Sequence, residues 1–295
     1  MARSKWIVYD RSDWRDFLLG RLLQDRVSLI RAEPSDVCED LVAAASHARG
    51  FIFHLDCTLT ERFPFCRRQL IDNLLSAGRI VVNRRAVDLR KSTIQRICAE
   101  LSLPETLTTI QGRPDELVVV KTTLNSFGAA ERQLPQNLRD ELGVSCPDTV
   151  ISKRGYRVIP RVEVPVQWWS EPSLTIERFV ANSSDVYYRV YVCRDKVAIA
   201  CAYRPGRIKK MICGATRHIQ FVNLSHRDES VQLDVAFPIR PVARFLESVG
   251  LDFGTLDIVR DDQSNFYIID ANTTPYWCEE IPGVLDHLAG GLLLG

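Results

Sequence analysis

Short apolar runs alternate with helically spaced apolar positions along the first ninety residues. The runs at 6–9, 27–30, 50–55 and 79–83 read as strands, and the spacing at 13–23, 37–48 and 65–77 predicts a helix between each pair. Ser35 stands where the second helix needs an N-cap. This alternation predicts a parallel α/β sheet. The first strand runs into Tyr9, Asp10, Arg11, Ser12 and Asp13, so the Gly-x-Gly-x-x-Gly signature of dinucleotide binding is absent.

The pattern changes after residue 89. Residues 90–101 read as one helix, ended by Leu103-Pro104, and 117–120 as a strand that finishes at Lys121. A Gly-containing loop follows at 122–130. The segments 149–152, 157–159 and 161–166, broken by Gly155 and Pro160, suggest antiparallel strands, and 174–180, 186–192 and 197–203 continue a strand-rich stretch. A helix is predicted over 235–249, strands over 254–260 and 265–270 around a polar turn, and a closing helix over 282–294.

Composition narrows the class. The chain has 295 residues, 46% hydrophobic and 25% charged, enough for about two domains at roughly 100–200 residues each. Lys plus Arg number 38 against 37 Asp plus Glu, so no net field draws the chain to nucleic acid or anionic lipid. No apolar run approaches the ~18 residues of a membrane span. Residues 1–10 are charged and lack an apolar signal core, from which no secretion signal and a cytoplasmic location are expected. The nine Cys form no Cys-x-x-Cys pair, which argues against a zinc ribbon or disulfide scaffold and for reduced, packed thiols. No Gly-x-Ser-x-Gly and no Cys–His nucleophile spacing is present.

The chemistry gathers near the end of the chain. Asp257 lies on an apolar strand, Asp270 ends the next one, and Asn272 follows after one residue. Residues two apart on a strand share a face, so Asp270 and Asn272 can aim at one point and Asp257 can reach it from the neighbouring strand. Two carboxylates and an amide oxygen make a hard site suited to Mg²⁺, which keeps other positions for water and phosphate oxygens. A hairpin with a capped turn would account for the same residues. Upstream, Lys121 ends a strand just before Asn125-Ser126-Phe127-Gly128-Ala129, a loop able to turn backbone N–H groups toward phosphates. Lys91 opens a helix, and Glu177 sits on a strand whose free backbone can meet an adenine edge.

This set, in this order, resembles the ATP-grasp superfamily, above all the ribosomal-protein glutamate ligase and D-alanine ligase style enzymes, over roughly residues 84–277. The resemblance implies an ATP-grasp fold of α/β class, α+β in its C-terminal part. It implies a Rossmann-like N-terminal domain at 1–86, a central subdomain with the phosphate loop at 87–175 and a C-terminal subdomain with the metal site at 176–295. It places Lys91 and Lys121 on the nucleotide phosphates, Ser126 and Gly128 in the phosphate loop, Glu177, Phe179 and Val180 at the adenine hinge and Asp185 at the ribose. Arg189 holds the family's spacing after the hinge, Arg204 or Arg217 supplies charge to the reacting phosphate, and Asp257, Asp270 and Asn272 hold magnesium, which Mn²⁺ can replace. The chain departs from the family's pattern in carrying Asp270 where Glu is usual, Thr255 where some ligases have Arg, and fewer Gly in the phosphate loop.

The implied reaction joins a small-molecule carboxylate to an amine, with ADP and phosphate released and with no nucleic acid or membrane partner. Dimers are usual in such families, so a homodimer is compatible. Two rivals stay open: a small-molecule kinase of the same architecture, and a non-enzymatic nucleotide sensor. His54 and Asp56, at the end of the third strand, are either part of the acceptor site or a strand-end polar pair. Residues 273–277 either border that site or simply pack. Trp168 and Trp169 read as one packed and one outward ring, and Arg207, Lys209, Lys210, Arg217 and His218 as either a phosphate cover or a solvated loop.

Overall fold

The computed structural model describes residues 5–11, 14–144, 155–209, 214–225, 231–233, 236–277 and 280–293. The first sheet contains β1 (Trp6–Asp10), β2 (Val27–Arg31), β3 (Gly50–His54) and β4 (Ile80–Val82), in the order β2-β1-β3-β4. All its pairings are parallel. Between the strands run α1 (Leu18–Leu23), α2 (Cys38–Ala45) and α3 (Arg67–Ser76), as the alternating pattern requires. One face packs on α2 and α3 through Leu41, Ala45, Leu70 and Leu74. The cap of α2 is Val37, without a side-chain bond, so the N-cap expected at Ser35 is not formed. The helix expected over 13–23 is split into a 3₁₀ turn at Trp14–Asp16 and α1.

The central part begins with α4 (Lys91–Glu100) and continues with β5 (Leu117–Thr122), α5 (Gln136–Glu141), β6 (Arg157–Pro160) and β7 (Leu174–Arg178). The three strands form an antiparallel sheet, order β6-β5-β7. Residues 161–166, read as a strand, instead form a 3₁₀ turn at Arg161–Glu163 and the start of another at Val166–Ser170, because Pro160 and Pro165 lack the N–H that a ladder needs. The strand expected at 149–152 lies outside the described residues.

The largest sheet holds β8 (Val186–Cys193), β9 (Lys196–Tyr203) and β10 (Thr216–Asn223), then, beyond a small hairpin of β11 (Val231–Gln232) and β12 (Ala236–Phe237) and the helix α6 (Ile239–Val249), β13 (Phe253–Arg260) and β14 (Phe266–Asn272). Its order is β10-β9-β8-β13-β14, and α7 (Val284–Leu293) follows it. Helix α6 starts four residues later than its apolar pattern suggests, directly after Pro238. Its buried stripe, Ile239, Val242, Phe245, Leu246 and Val249, recurs at three and four residues and packs with α4 on one face of the sheet.

Period-two alternation divides this sheet. Tyr188, Val190 and Val192 of β8, with Leu256 and Ile258 of β13, enter the core under α4 and α6. The opposite face is shared. At one end Tyr191, Cys193 and Phe253 pack with α1, α7 and the first sheet. At the other end the face opens toward the β6-β5-β7 sheet, and the site lies there.

Asn83 fastens the first sheet to the largest one. It is 1% exposed; its Nδ2 donates to the carbonyls of Phe53 (3.3 Å) and Phe253 (2.9 Å), and its Oδ1 accepts from the N–H groups of Asp252 (3.1 Å) and Phe253 (2.9 Å). Its φ of +59° is one that Asn tolerates better than most residues. Asn83→Ala should cost about 2–4 kcal/mol in urea unfolding, because a buried group left unsatisfied costs roughly 1–3 kcal/mol. A loss under about 1 kcal/mol would mean that water satisfies these groups.

Cys38, Cys57, Cys66, Cys98, Cys193 and Cys201 are free thiols, and Cys146, Cys213 and Cys278 fall outside the described residues. Among the described residues no helix is long and apolar enough to cross a membrane.

Candidate functional site

A cleft of about 650 Å³ opens between the β6-β5-β7 sheet and the largest sheet. It is lined by Val119 and Lys121 of β5, by Glu177 and Arg178 of β7 with Phe179 and Val180 beyond, by Arg207, Ile208 and Lys209, and by Asp257, Val259, Ile269 and Asp270. Thr106 and Tyr156 complete the wall. The mix of apolar walls with few charged groups is typical of small-ligand sites.

Alternation explains which side chains arrive. On β5, Val118 and Val120 enter the small core with Ile176 of β7, which turns Val119, Lys121 and Glu177 to the cleft. Lys121 and Glu177 form an ion pair at 2.8 Å with side-chain exposures of 6% and 3%. The Lys121 ammonium also donates to the carbonyl of Ile269 at 3.1 Å, which ties the two sheets together.

On the opposing sheet Arg189, Asp257 and Asp270 face one another across β8, β13 and β14 in a single lateral row. Arg189 grips Asp257 with two bonds, Nε to Oδ1 at 2.7 Å and Nη2 to Oδ2 at 2.8 Å. Burial opposes the charge on Arg189 and the Asp257 carboxylate outweighs it, holding the guanidinium above its ordinary range. Lys91 stands at the far end of the row, 1% exposed, with Nζ 3.6 Å from Asp270 Oδ1 and 2.7 Å from Asn125 Oδ1. Two adjacent carboxylates are thus flanked by cations on both sides.

A register shift sets the Asp270 position. Asp257 pairs with Asp270 but Ile258 pairs with Ile268, so Ile269 is an extra residue in β14. Ile268 and Ala271 both enter the core, three residues apart, while Ile269 and Asp270 both line the cleft. A bulge of this kind redirects side chains, and here it adds one apolar and one acidic group to the same wall.

The expected site residues fall into distinct places. Lys121, Glu177, Phe179, Val180, Asp257 and Asp270 line the cleft. Lys91 and Arg189 reach it through Asp270 and Asp257. Ser126 and Gly128 lie in the turn after β5, where Ser126, Phe127 and Gly128 all take positive φ (46°, 59° and 69°). Asp185 is engaged by Lys209 Nζ at 2.5 Å, and Lys209, not Asp185, lines the cleft. Arg204 and Arg217 do not line it. The Arg204 N–H bonds the carbonyl of Asp185, and Arg217 is exposed on β10 with its guanidinium 5.9 Å from the Tyr203 ring centre. Arg207 and Lys209 bring positive charge there instead. Asn272 Oδ1 accepts from the N–H (2.8 Å) and hydroxyl (3.1 Å) of Thr274, the capped-turn alternative of the sequence.

Tyr156, Thr106 and Ile208 were not foreseen. Burial, and after it the nearby Asp270 carboxylate, raises the Tyr156 phenol. No motif surrounds these three in the sequence. Of the strand-end pair His54 and Asp56, His54 is fully buried with Nδ1 2.9 Å from Asp10 Oδ1 at the end of the first sheet.

Among the described residues no group of three or more His, Cys, Asp or Glu side chains gathers as a metal cage. The acid row fits magnesium in another way. Mg²⁺ commonly takes one or two carboxylates and completes its shell with water and substrate phosphates. Asp270 is a third exposed, and its Oδ1 receives the Lys91 and Ala271 contacts, which leaves Oδ2 for such a role.

No protein-family model matches the sequence, and no curated protein matches it. Solved structures do. The macrocyclase MdnB from Microcystis aeruginosa MRC aligns over 99% of this chain and 100% of its own, with a TM-score of 0.54 at 11% identity. The ATP-grasp ligase PsnB, in complex with a minimal precursor, aligns over 92% of this chain and 90% of its own, with a TM-score of 0.51 at 13% identity. Two lobes of antiparallel sheet closing on a charged cleft, behind a parallel α/β layer, give this chain the fold of the ATP-grasp ligases.

Proposed function

We propose that this chain is an ATP-dependent carboxylate–amine ligase that acts through an acylphosphate. The observation that carries this reading is the cleft itself, in which the buried Lys121–Glu177 pair and apolar walls stand beside the Arg189–Asp257–Asp270–Lys91 row. Val180, Val259 and Ile269 suit a flat purine, the backbone after Glu177 suits its polar edge, and the cations suit the phosphates. Asp257 and Asp270 would hold magnesium, which when bound neutralises charge on phosphate oxygens. The division into units at 1–86, 87–175 and 176–295 and a cytoplasmic location belong to the same proposal.

The substrate carboxylate attacks the γ-phosphorus. A new O–P bond forms, the bond to the β-phosphate bridging oxygen breaks, and ADP leaves. The amine then attacks the acyl carbon, loses a proton and expels phosphate. Lys121, Lys91 and Arg207 neutralise and orient the phosphates, and no side chain need form a covalent intermediate. The likeness in fold to a ligase and a macrocyclase favours amino acids, peptides or natural-product acids as carboxylate and amine partners.

Phosphorus NMR of the protein with MgATP and a pool of amino acids and dipeptides tests the reading. ADP with an equal amount of free phosphate, dependent on the pool, is expected. A new phosphoester without free phosphate would replace the ligase by a kinase. Nucleotide binding without turnover on any carboxylate–amine pair would leave a sensor.

A further inference from the structure

The geometry points to Asn125 as a positioning residue that holds Lys91 off Asp270 and keeps that carboxylate open to the magnesium accompanying ATP. This rests on the nucleotide-binding reading above. Lys91 is 1% exposed, and a buried ammonium must find acceptors within the protein. Its short bond goes to Asn125 Oδ1 at 2.7 Å, while Asp270 Oδ1 stays at 3.6 Å. The other end of the amide, Nδ2, donates to the carbonyl of Ala271 at 3.0 Å, between Asp270 and Asn272. An ammonium only donates and a carbonyl only accepts, so these two partners fix the orientation of the amide.

The amide is also held from behind. The Asn125 N–H donates to Thr58 Oγ1 at 2.9 Å, and the Thr58 N–H donates to the carboxylate of Glu131, which is fully buried. Arg11 donates to the carbonyl of Ala130 at 3.0 Å. The turn carrying Asn125 is therefore anchored on the end of the first sheet while its side chain bridges Lys91 and β14. Without the amide oxygen, Asp270 becomes the nearest acceptor for Lys91. Closing that contact seats the ammonium on Oδ1, and its positive charge then opposes a magnesium ion on Oδ2 of the same carboxylate.

Calorimetry of ATP binding in Mg²⁺ and in EDTA reads this directly, as the ratio of the two affinities. Asn125→Ala should lower the Mg²⁺ enhancement about tenfold while metal-free affinity stays within about threefold, the scale at which residues behind metal ligands act. Asn125→Leu matches the shape of the amide without its acceptor and should lose the enhancement to the same extent. In a Lys91→Met background, Asn125→Ala should leave the enhancement unchanged, since the pair then has nothing left to couple. Thermal melts of each variant confirm that it is folded. An unchanged enhancement in Asn125→Ala, or an equal loss in both backgrounds, overturns the role. If the unaltered protein binds ATP in neither condition, the nucleotide reading fails and takes this inference with it. Should Asn125→Ala not fold, an unchanged enhancement in folded Asn125→Leu overturns the role.

Discussion

Replacing Lys121 with methionine should cost the fold about 3–5 kcal/mol and abolish nucleotide binding, because the change strands a buried carboxylate. Lys121 and Glu177 are 6% and 3% exposed and 2.8 Å apart. Glu177 Oε1 is already buried without a hydrogen-bond partner, so the ammonium on Oε2 is its main compensation. Methionine keeps the volume of the lysine stem and loses the charge, along with the bond to the Ile269 carbonyl. The double variant Lys121→Met with Glu177→Gln removes the stranded charge and should recover most of the stability, since a buried pair exchanged for neutral groups is often close to neutral. It should not recover nucleotide binding. A single-variant loss below about 1 kcal/mol would show that water or a nearby cation already satisfies Glu177.

The alternation of apolar and polar positions carried much of the way to this site. It marked the strands bearing Lys121, Glu177, Asp257 and Asp270, because a half-buried strand must turn every second residue outward. It also marked the parallel first sheet, whose β1 and β3 are buried throughout. What it missed is non-local. Arg189 is a polar residue on an apolar strand until the register sets it directly opposite Asp257, and register depends on which strands become neighbours. The bulge at Ile269 breaks the alternation that β14 shows in sequence, with one residue too many for its partner strand. Tyr156 reaches the cleft from a neighbourhood without a motif. The resemblance puts Asp185 at the ribose, and only the chain returning with Lys209 reveals its partner. Arg207 and Lys209, rather than Arg204 and Arg217, line the cleft because the segment after β9 runs along it. Basic residues so close in sequence differ in place only through that backbone path.

Asp270→Asn should reduce magnesium-dependent ATP turnover by about 100- to 1,000-fold, the loss typical when one preorganised electrostatic group is removed. The substitution preserves shape, and Asn Oδ1 can still accept from the Ala271 N–H, which lies 3.1 Å from the native oxygen. Stability should fall by less than in Lys121→Met, because the buried Lys91 ammonium loses a carboxylate at 3.6 Å but keeps Asn125 Oδ1 at 2.7 Å. Binding measurements in the absence of metal separate this carboxylate from an ordinary structural one. Without magnesium, Asp270 and its neighbour Asp257 repel the phosphates of ATP, and neutralising one of them relieves that repulsion. Metal-free ATP should therefore bind the variant as well as it binds the unaltered protein, or better, while added Mg²⁺ no longer improves affinity. A carboxylate that served only to pair Lys91 would give the opposite pattern: its neutralisation frees a cation for phosphate and strengthens binding equally with and without metal. Calorimetry in EDTA and in Mg²⁺ distinguishes the two outcomes, and unchanged magnesium dependence of both binding and turnover would remove Asp270 from the metal site.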